Sequence, residues 1–556
     1  MNSIYARTLE QCEEATGESD NVKARTKSLP LASIELLKKC GSKRNHFGFE
    51  ENVELKLHVP GNTGNCVLSV EDIMMIAKEK YIQYISHTPD DLSMLFHPLN
   101  NHYSGLSGEA AEDIELVVFL LASAETFVNR QFHQMKNLLS MCYQLATPDG
   151  NPIKRLVFYF AEALKERIQQ ETGNVLLGGM GHQRRKTMQL QDALTMLHPA
   201  AIACHQQLPV SQVIQFASMQ AILDNVSTSS RIHLVDIGIK NGLYWVIFMQ
   251  ALSVRHECPL ELLKITAVIS SSRESTEVIG KRLSSFAQSI NLPFSFNIVV
   301  TSMEDLMEEV FSFETEETVA VFSHVHLSTM LAWPNRLAAL MGVMKKIRPR
   351  VMVVVEIEAH TNSPALMDRF IEALFLYGSL FDCLEDCMDR CSQFRKTIEA
   401  VYLWEGIQNL VTSEGEVWIH RHEKIDYWRD VFGRFGLVEM ELSKSSLSQA
   451  DLVLKKNPCG HSPSFLIYPG YLYENYSIIL SPEVLKEIMR KVGWAIVAYT
   501  SRGSRGFFSS SKIRLGNMTS SFCGLVNLEL NIKLPLGRFF KVELALVLDA
   551  VVGLLV

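Results

Sequence analysis

The stretch Val235-Asp236-Ile237-Gly238-Ile239-Lys240-Asn241-Gly242 has the residue types to hold a nucleotide-like cofactor. An acid followed by alternate glycines at a strand-to-helix turn lets backbone approach such a ligand, and S-adenosylmethionine enzymes use that arrangement. Asp236, Gly238 and Gly242 fit it, but Lys240 stands at the middle glycine position, where its side chain would crowd the approach. The second strand of such a site should end in an acid that holds ribose hydroxyls. Here it ends Val268-Ile269-Ser270-Ser271-Ser272, with no carboxylate before Glu274. After the third strand, Ser302-Met303-Glu304-Asp305 places Asp305 where an acid could face an adenine. The pocket is therefore half present, and methyl transfer is the weaker reading.

Other chemistry is set aside more quickly. GMGHQRRKT matches a phosphate-binding loop only at Lys186-Thr187, with Arg185 where glycine is required. Cys383, Cys387 and Cys391 lie four apart on an expected helix face, without a fourth ligand at a familiar zinc spacing. His324 and His326 share one face of an expected strand with no carboxylate pair nearby, which suits a structural role. No catalytic residue, cofactor or metal site is expected.

Strands and helices alternate in the region that would position these groups. HLVDIG, LLKITAVIS, FSFNIVV, ETVAVFSHV and VMVVVEIE read as strands with amphipathic helical stretches between them. LVEMELS and ADLVLKK suggest a closing antiparallel pair. The expected fold class is α/β: a Rossmann-like, methyltransferase-type doubly wound sheet over residues 231–460 with an α-helical cap over 111–230. The cap is read from apolar positions recurring every three or four residues from Ile114 to Cys142, and from a second run over Pro152 to Ile168. Residues 1–110 read as a variable, partly disordered arm, and 461–556 as a divergent tail.

With 53 basic and 61 acidic residues, the chain has a net charge of −8, the wrong sign for a protein held to DNA mainly by its own charge. Eleven cysteines without framework spacing suit reduced thiols. No signal peptide is visible at the start. The apolar end LALVLDAVVGLLV, interrupted by Asp549, is short of the roughly 20 residues a membrane span needs, so no membrane partner is expected.

Several segments, in order, resemble the GRAS family of plant transcriptional regulators. HLVDIGIKNGLYWVIFMQAL is similar to the family's VHIID motif, with His233, Asp236 and Trp245 in signature places. LASAETFVNRQFHQMKNLL and LKITAVISSSRESTEVIGKRL resemble its first and second leucine-rich regions. RPRVMVVVEIEAHTNSPALMDRFIEALFLYGSLFD resembles the PFYRE region, carrying Pro349, Arg369, Phe370 and Tyr377, and the following segment adds Arg421 and Glu423. The resemblance covers about residues 112–460 and leans to the DELLA-like branch. The arm holds neither DELLA nor TVHYNP strings, so hormone-regulated degradation is not carried over.

The resemblance implies a non-enzymatic co-regulator in the nucleus. It would bind DNA-binding transcription factors, often of zinc-finger type, and other GRAS proteins as homo- or heterodimers. DNA would be reached mostly through those partners. On the residues alone, His233 and Asp236 could equally serve to fix the first strand, and Arg369, Arg421 and Glu423 could be a structural ion-pair network.

Overall fold

The computed structural model describes residues 68–87, 106–173, 199–270, 273–456 and 494–501. Most of the amino-terminal arm, the Arg184-Arg185-Lys186 cluster, Ser271-Ser272 and most of the tail lie outside the described residues.

Four helices come first: α1 (Val70–His87), α2 (Gly108–Val128), α3 (Phe132–Leu145) and α4 (Pro152–Thr172). Their starts follow local rules. Ser107 caps α2 by accepting from the Ala110 amide, and Asn151 caps α4 by accepting from Lys154 ahead of a first-turn proline. Gly173 closes α4 in the left-handed conformation. Two further helices, α5 (Pro199–Gln207) and α6 (Pro209–Val226), lead into the sheet.

Strand β1 (Arg231–Ile237) is followed by α7 (Leu243–Ser253), β2 (Leu262–Ile269), α8 (Arg273–Ser289) and β3 (Phe294–Val300). Then come β4 (Thr318–His324), α9 (Pro334–Ile347), β5 (Val351–Ile357) and α10 (Leu366–Cys387). A short helix α11 (Gln393–Thr397) runs through a π turn into α12 (Trp404–Thr412). The described chain ends with α13 (Ile425–Arg434), β6 (Leu437–Met440), α14 (Lys444–Lys456) and β7 (Trp494–Ser501).

The seven strands lie in the order β3-β2-β1-β4-β5-β7-β6. The first five pair in parallel, while β7 runs antiparallel to both β5 and β6. Every β1 residue after Arg231 is buried, as expected for a central strand covered on both faces. Its side chains alternate: Ile232 and Leu234 enter one apolar layer, Val235 and Ile237 the other.

The α/β reading of the sequence holds, with one correction. ADLVLKK is not a strand; it belongs to α14, and the antiparallel partner of β6 is β7. Ala450 and Val453 repeat at helical spacing and are buried, and the Ser443 hydroxyl accepts from the Ser446 amide at the helix start. A third apolar cluster joins α1 to α4 with side chains from α10 and α12. Residues of α5 and α6 pack instead with the sheet, so the helical layer and the sheet layer interleave along the chain. No described helix is long and apolar enough to cross a membrane; LALVLDAVVGLLV lies outside the described residues.

Candidate ligand crevice and family-motif residues

The turn after β1 needs its glycines. Gly238 and Gly242 have φ of +79° and +78°, a region that side-chain-bearing residues rarely adopt. A Cβ on Gly238 would lie 2.4 Å from Cγ of His326, and one on Gly242 2.9 Å from Cγ2 of Ile279. The close approach that the glycine pattern permits is thus made by the chain's own imidazole.

His326 is held there by the backbone. β4 ends at His324, Val325 takes a left-handed φ of 47°, and its amide donates to the Val355 carbonyl. The amides of His326, Leu327 and Ser328 all donate to Oε1 of Glu356 on β5, at 3.1, 2.9 and 3.3 Å. The sequence reading placed both histidines on one strand face without a nearby carboxylate pair. The structure corrects that: only His324 is on the strand, and the Glu356 carboxylate anchors the turn carrying His326.

Charge in the crevice is balanced internally. Burial pushes Glu356 up to about 7, although the Ser328, Leu327 and His326 donors oppose it. Burial also pushes Asp236 up to about 7, against the Trp245 indole, which donates at 2.6 Å, and against the Lys240 charge. Burial lowers Lys240, with Glu356 and Asp236 opposing the shift. His324 and His326 are pushed down to about 3 by burial and then by Lys240, so both imidazoles are neutral at pH 7. Tyr244 packs tilted against His324, with ring centroids 5.1 Å apart and planes at 48°.

Asp305 does not join this group. It is exposed and closes a local turn, accepting the Ser302 hydroxyl at 2.8 Å. Ser270 is exposed at the end of β2. Lys240→Gly would recreate the glycine pattern, yet it is expected to leave S-adenosylmethionine binding undetectable by calorimetry, because the His326 ring still covers Gly238. Measurable binding by that single variant would show that Lys240 alone closes the crevice.

The family-motif residues fall into separate assemblies. His233 is fully buried between Glu317 (Nδ1 to Oε2, 2.9 Å) and Thr266 (Nε2 to Oγ1, 2.8 Å), clamping β1 to its neighbours. Pro349 is buried just ahead of β5. Phe370 and Tyr377 on α10 pack edge-on to Phe160 of α4, with centroids 5.2 and 6.0 Å away.

Arg369, also buried, donates to the carbonyls of Leu410 and Pro364, each at 3.1 Å, and pairs with Glu414. Its guanidinium and that of Arg421 lie over the Trp418 ring at 4.3 and 4.1 Å from the centroid. Arg421 also donates to Asn362, which in turn donates to Glu423, and Glu423 meets His360 at 3.0 Å. Sequence reasoning missed Trp418, although a lone tryptophan among the charged residues of EVWIHRHE was the visible signal. It also missed Glu356, whose signal was a single acid inside the apolar run VMVVVEI.

Cys383 is buried and Cys387 partly so, but α10 stops at Cys387 and Cys391 lies exposed beyond it. The expected shared helix face therefore ends at Cys387. No cluster of His, Cys, Asp or Glu suited to a metal occurs among the described residues.

Comparison with known proteins agrees with this architecture. Residues 116–463 match the model of the GRAS domain family. DELLA protein RGL3 of Arabidopsis thaliana is 33% identical over 405 residues, covering 70% of this chain and 71% of that protein. DELLA protein 2 of Medicago truncatula is 32% identical over 347 residues, which span 61% of each protein. The crystal structure of SCL7 from Oryza sativa superposes with a TM-score of 0.52 at 27% identity, covering 61% of this chain and 90% of that one.

Proposed function

The chain belongs to the GRAS domain family of plant transcriptional regulators, and from that premise we propose that it acts without catalysis, as an adaptor between DNA-binding transcription factors and other regulators. The observation that carries this reading is the His326 ring seated on Gly238, where a methyltransferase would admit its cofactor. The crevice is filled by internally balanced side chains, which leaves the surface to do the work. The nucleus is the compartment in which such a role operates. Zinc-finger transcription factors and other GRAS proteins are the proposed partners, the latter as homo- or heterodimers. We retain the division into arm (1–110), GRAS domain (111–460) and tail (461–556) as part of the proposal, with α1 of the arm packed into the helical cap and β7 of the tail paired into the sheet.

A net charge of −8 supports indirect contact with DNA. Among the capping helices, α2 is buried without a break from Leu116 to Phe127, so it has no face to offer there. The partly polar outer faces of α3 and α4 are the docking surface we propose. In a DNA-binding assay near physiological salt, the purified chain alone should bind duplex DNA weakly and without sequence preference. A zinc-finger partner should bring it to specific sites. Sequence-specific nanomolar binding by the chain alone would overturn the adaptor reading.

A further inference from the structure

Strand β3 ends the sheet on one side, and none of its residues is fully buried, whereas β1 and β2 are buried from their second residue onward. Half of an edge strand's amides and carbonyls point away from its neighbour, open to another strand. Among the described residues, the backbone of β3 pairs only with β2. Natural edges are usually short or blunted by charge or proline. The opposite edge, β6, is four residues long and carries Glu439, held by Arg429. β3 runs for seven residues, Phe294-Ser295-Phe296-Asn297-Ile298-Val299-Val300, with neither charge nor proline.

This open edge has two unlike faces. Phe294, Phe296 and Ile298 lie partly covered against the apolar layer that includes α8. Phe296 rests on Gly280 of that helix, where a Cβ would lie 2.4 Å from its Cδ1. Ser295 and Asn297 belong to the other face, and Asn297 is exposed. A strand that fits beside β3 therefore needs apolar residues at every second position and polar ones between.

Residues 526–534, outside the described residues, have that pattern. They read Val526-Asn527-Leu528-Glu529-Leu530-Asn531-Ile532-Lys533-Leu534, with Gly524 before and Pro535 after. β7 ends at Ser501, and six strand spacings, roughly 29 Å, separate it from a place beyond β3. The 24 residues from 502 to 525 span up to roughly 80 Å when extended. The tether also sets a local concentration on the order of millimolar, which a separate chain would have to match.

We propose that residues 526–534 add to the sheet beside β3 as its outermost strand. Their apolar residues, from Val526 to Ile532 at every second position, continue the face of Phe294, Phe296 and Ile298 over α8. Asn527, Glu529, Asn531 and Lys533 share the other face with Ser295 and Asn297, and the two charges blunt the new edge. The tail thereby keeps β3 from pairing with another molecule, and its release exposes that edge. The inference does not rest on the adaptor reading.

Two measurements on the full chain test it. In hydrogen exchange followed by mass spectrometry, L528D/L530D/I532D should speed exchange of the outward amides of 294–300 about ten-fold or more, with β1 and β5 unchanged. A synthetic peptide of residues 525–535, added at about millimolar concentration, should restore the slow exchange. A photo-crosslinker at Asn297 in the otherwise wild-type protein should attach to residues 525–535 of the same chain. Equal exchange in wild type and variant, or a crosslink to any other segment, would overturn the proposal. A crosslink to 525–535 of a second copy, seen as a doubled mass, would overturn the assignment to the chain's own tail.

Discussion

Replacing Arg155 with methionine is expected to destabilise the protein by on the order of 3 kcal/mol, the largest loss for any single side chain considered. Arg155 sits on α4 with no exposed side-chain surface. Nε donates to Glu399 in the π turn at 3.1 Å, while Nη1 donates to Glu385 on α10 at 2.8 Å and to the Gly150 carbonyl at 2.7 Å. Burial raises Glu399 despite Arg155 and Arg395. For Glu385, burial is outweighed by Arg155 and Arg390, and its carboxyl is lowered. The two carboxylates move oppositely because Glu399 is the deeper, 2% exposed against 13%.

Removing the shared guanidinium strands Glu399 with only Arg395, whose Nε is 3.7 Å away. The cost arises from an uncompensated buried charge more than from a lost attraction. The double variant Arg155→Met, Glu399→Leu should therefore recover part of the stability. Urea denaturation of the two single variants and the double variant makes the comparison. A loss below about 1 kcal/mol in Arg155→Met would show that the cluster does not tie α4 to α10.

His422 should make the protein acid-sensitive by a predictable amount. It is 4% exposed and Nδ1 has no hydrogen-bond partner, while its backbone amide donates to the Thr361 hydroxyl at 3.0 Å. Burial, and secondarily the neighbouring His420, pushes it down to about 3 from an ordinary value near 6.5. Below pH 6.5 the unfolded chain takes up a proton at this position that the folded chain refuses. The stability His422 contributes is thus complete above about pH 6.5 and declines as the pH falls toward 3. Between about pH 7.5 and pH 5 the decline amounts to roughly 2 kcal/mol.

His422→Leu shifts stability at neutral pH by some constant amount. Relative to the wild type, however, it should gain roughly 2 kcal/mol on going from about pH 7.5 to pH 5. Denaturation curves at both pH values check this. A difference between the two proteins that does not change with pH would mean that the imidazole titrates normally in the folded state.

Which features were legible in the sequence follows from whether their causes are local. The five parallel strands announced themselves because β-branched runs such as VMVVVEI and the amphipathic stretches between them have periods set by backbone geometry. The start of α4 at Pro152 was legible for the same reason, since the Asn151 cap ahead of it is local, whereas the reading began the preceding helix at Ile114 and α2 starts earlier, at Gly108. ADLVLKK was misread because a short apolar run satisfies both periods. The decision for helix came from burial of Ala450 and Val453, which a distant part of the chain provides.

The sequence by itself determined the alternating α/β order, the glycine turn after β1 and the family-specific segments, since each depends on residues next to one another or on a preserved order of motifs. Only the tertiary structure decided that β7, from beyond residue 493, closes the sheet, because strand pairing joins edges without regard to distance along the chain. It likewise decided what fills the crevice. Asp236, Gly238 and Gly242 state that something approaches closely, but not what. The occupant is His326, 88 positions from Gly238 in number, held by Glu356 on the neighbouring strand. Arg155 and Glu399, separated by 244 residues, show the same principle: buried charges must find partners in space, and packing, not sequence neighbourhood, selects them.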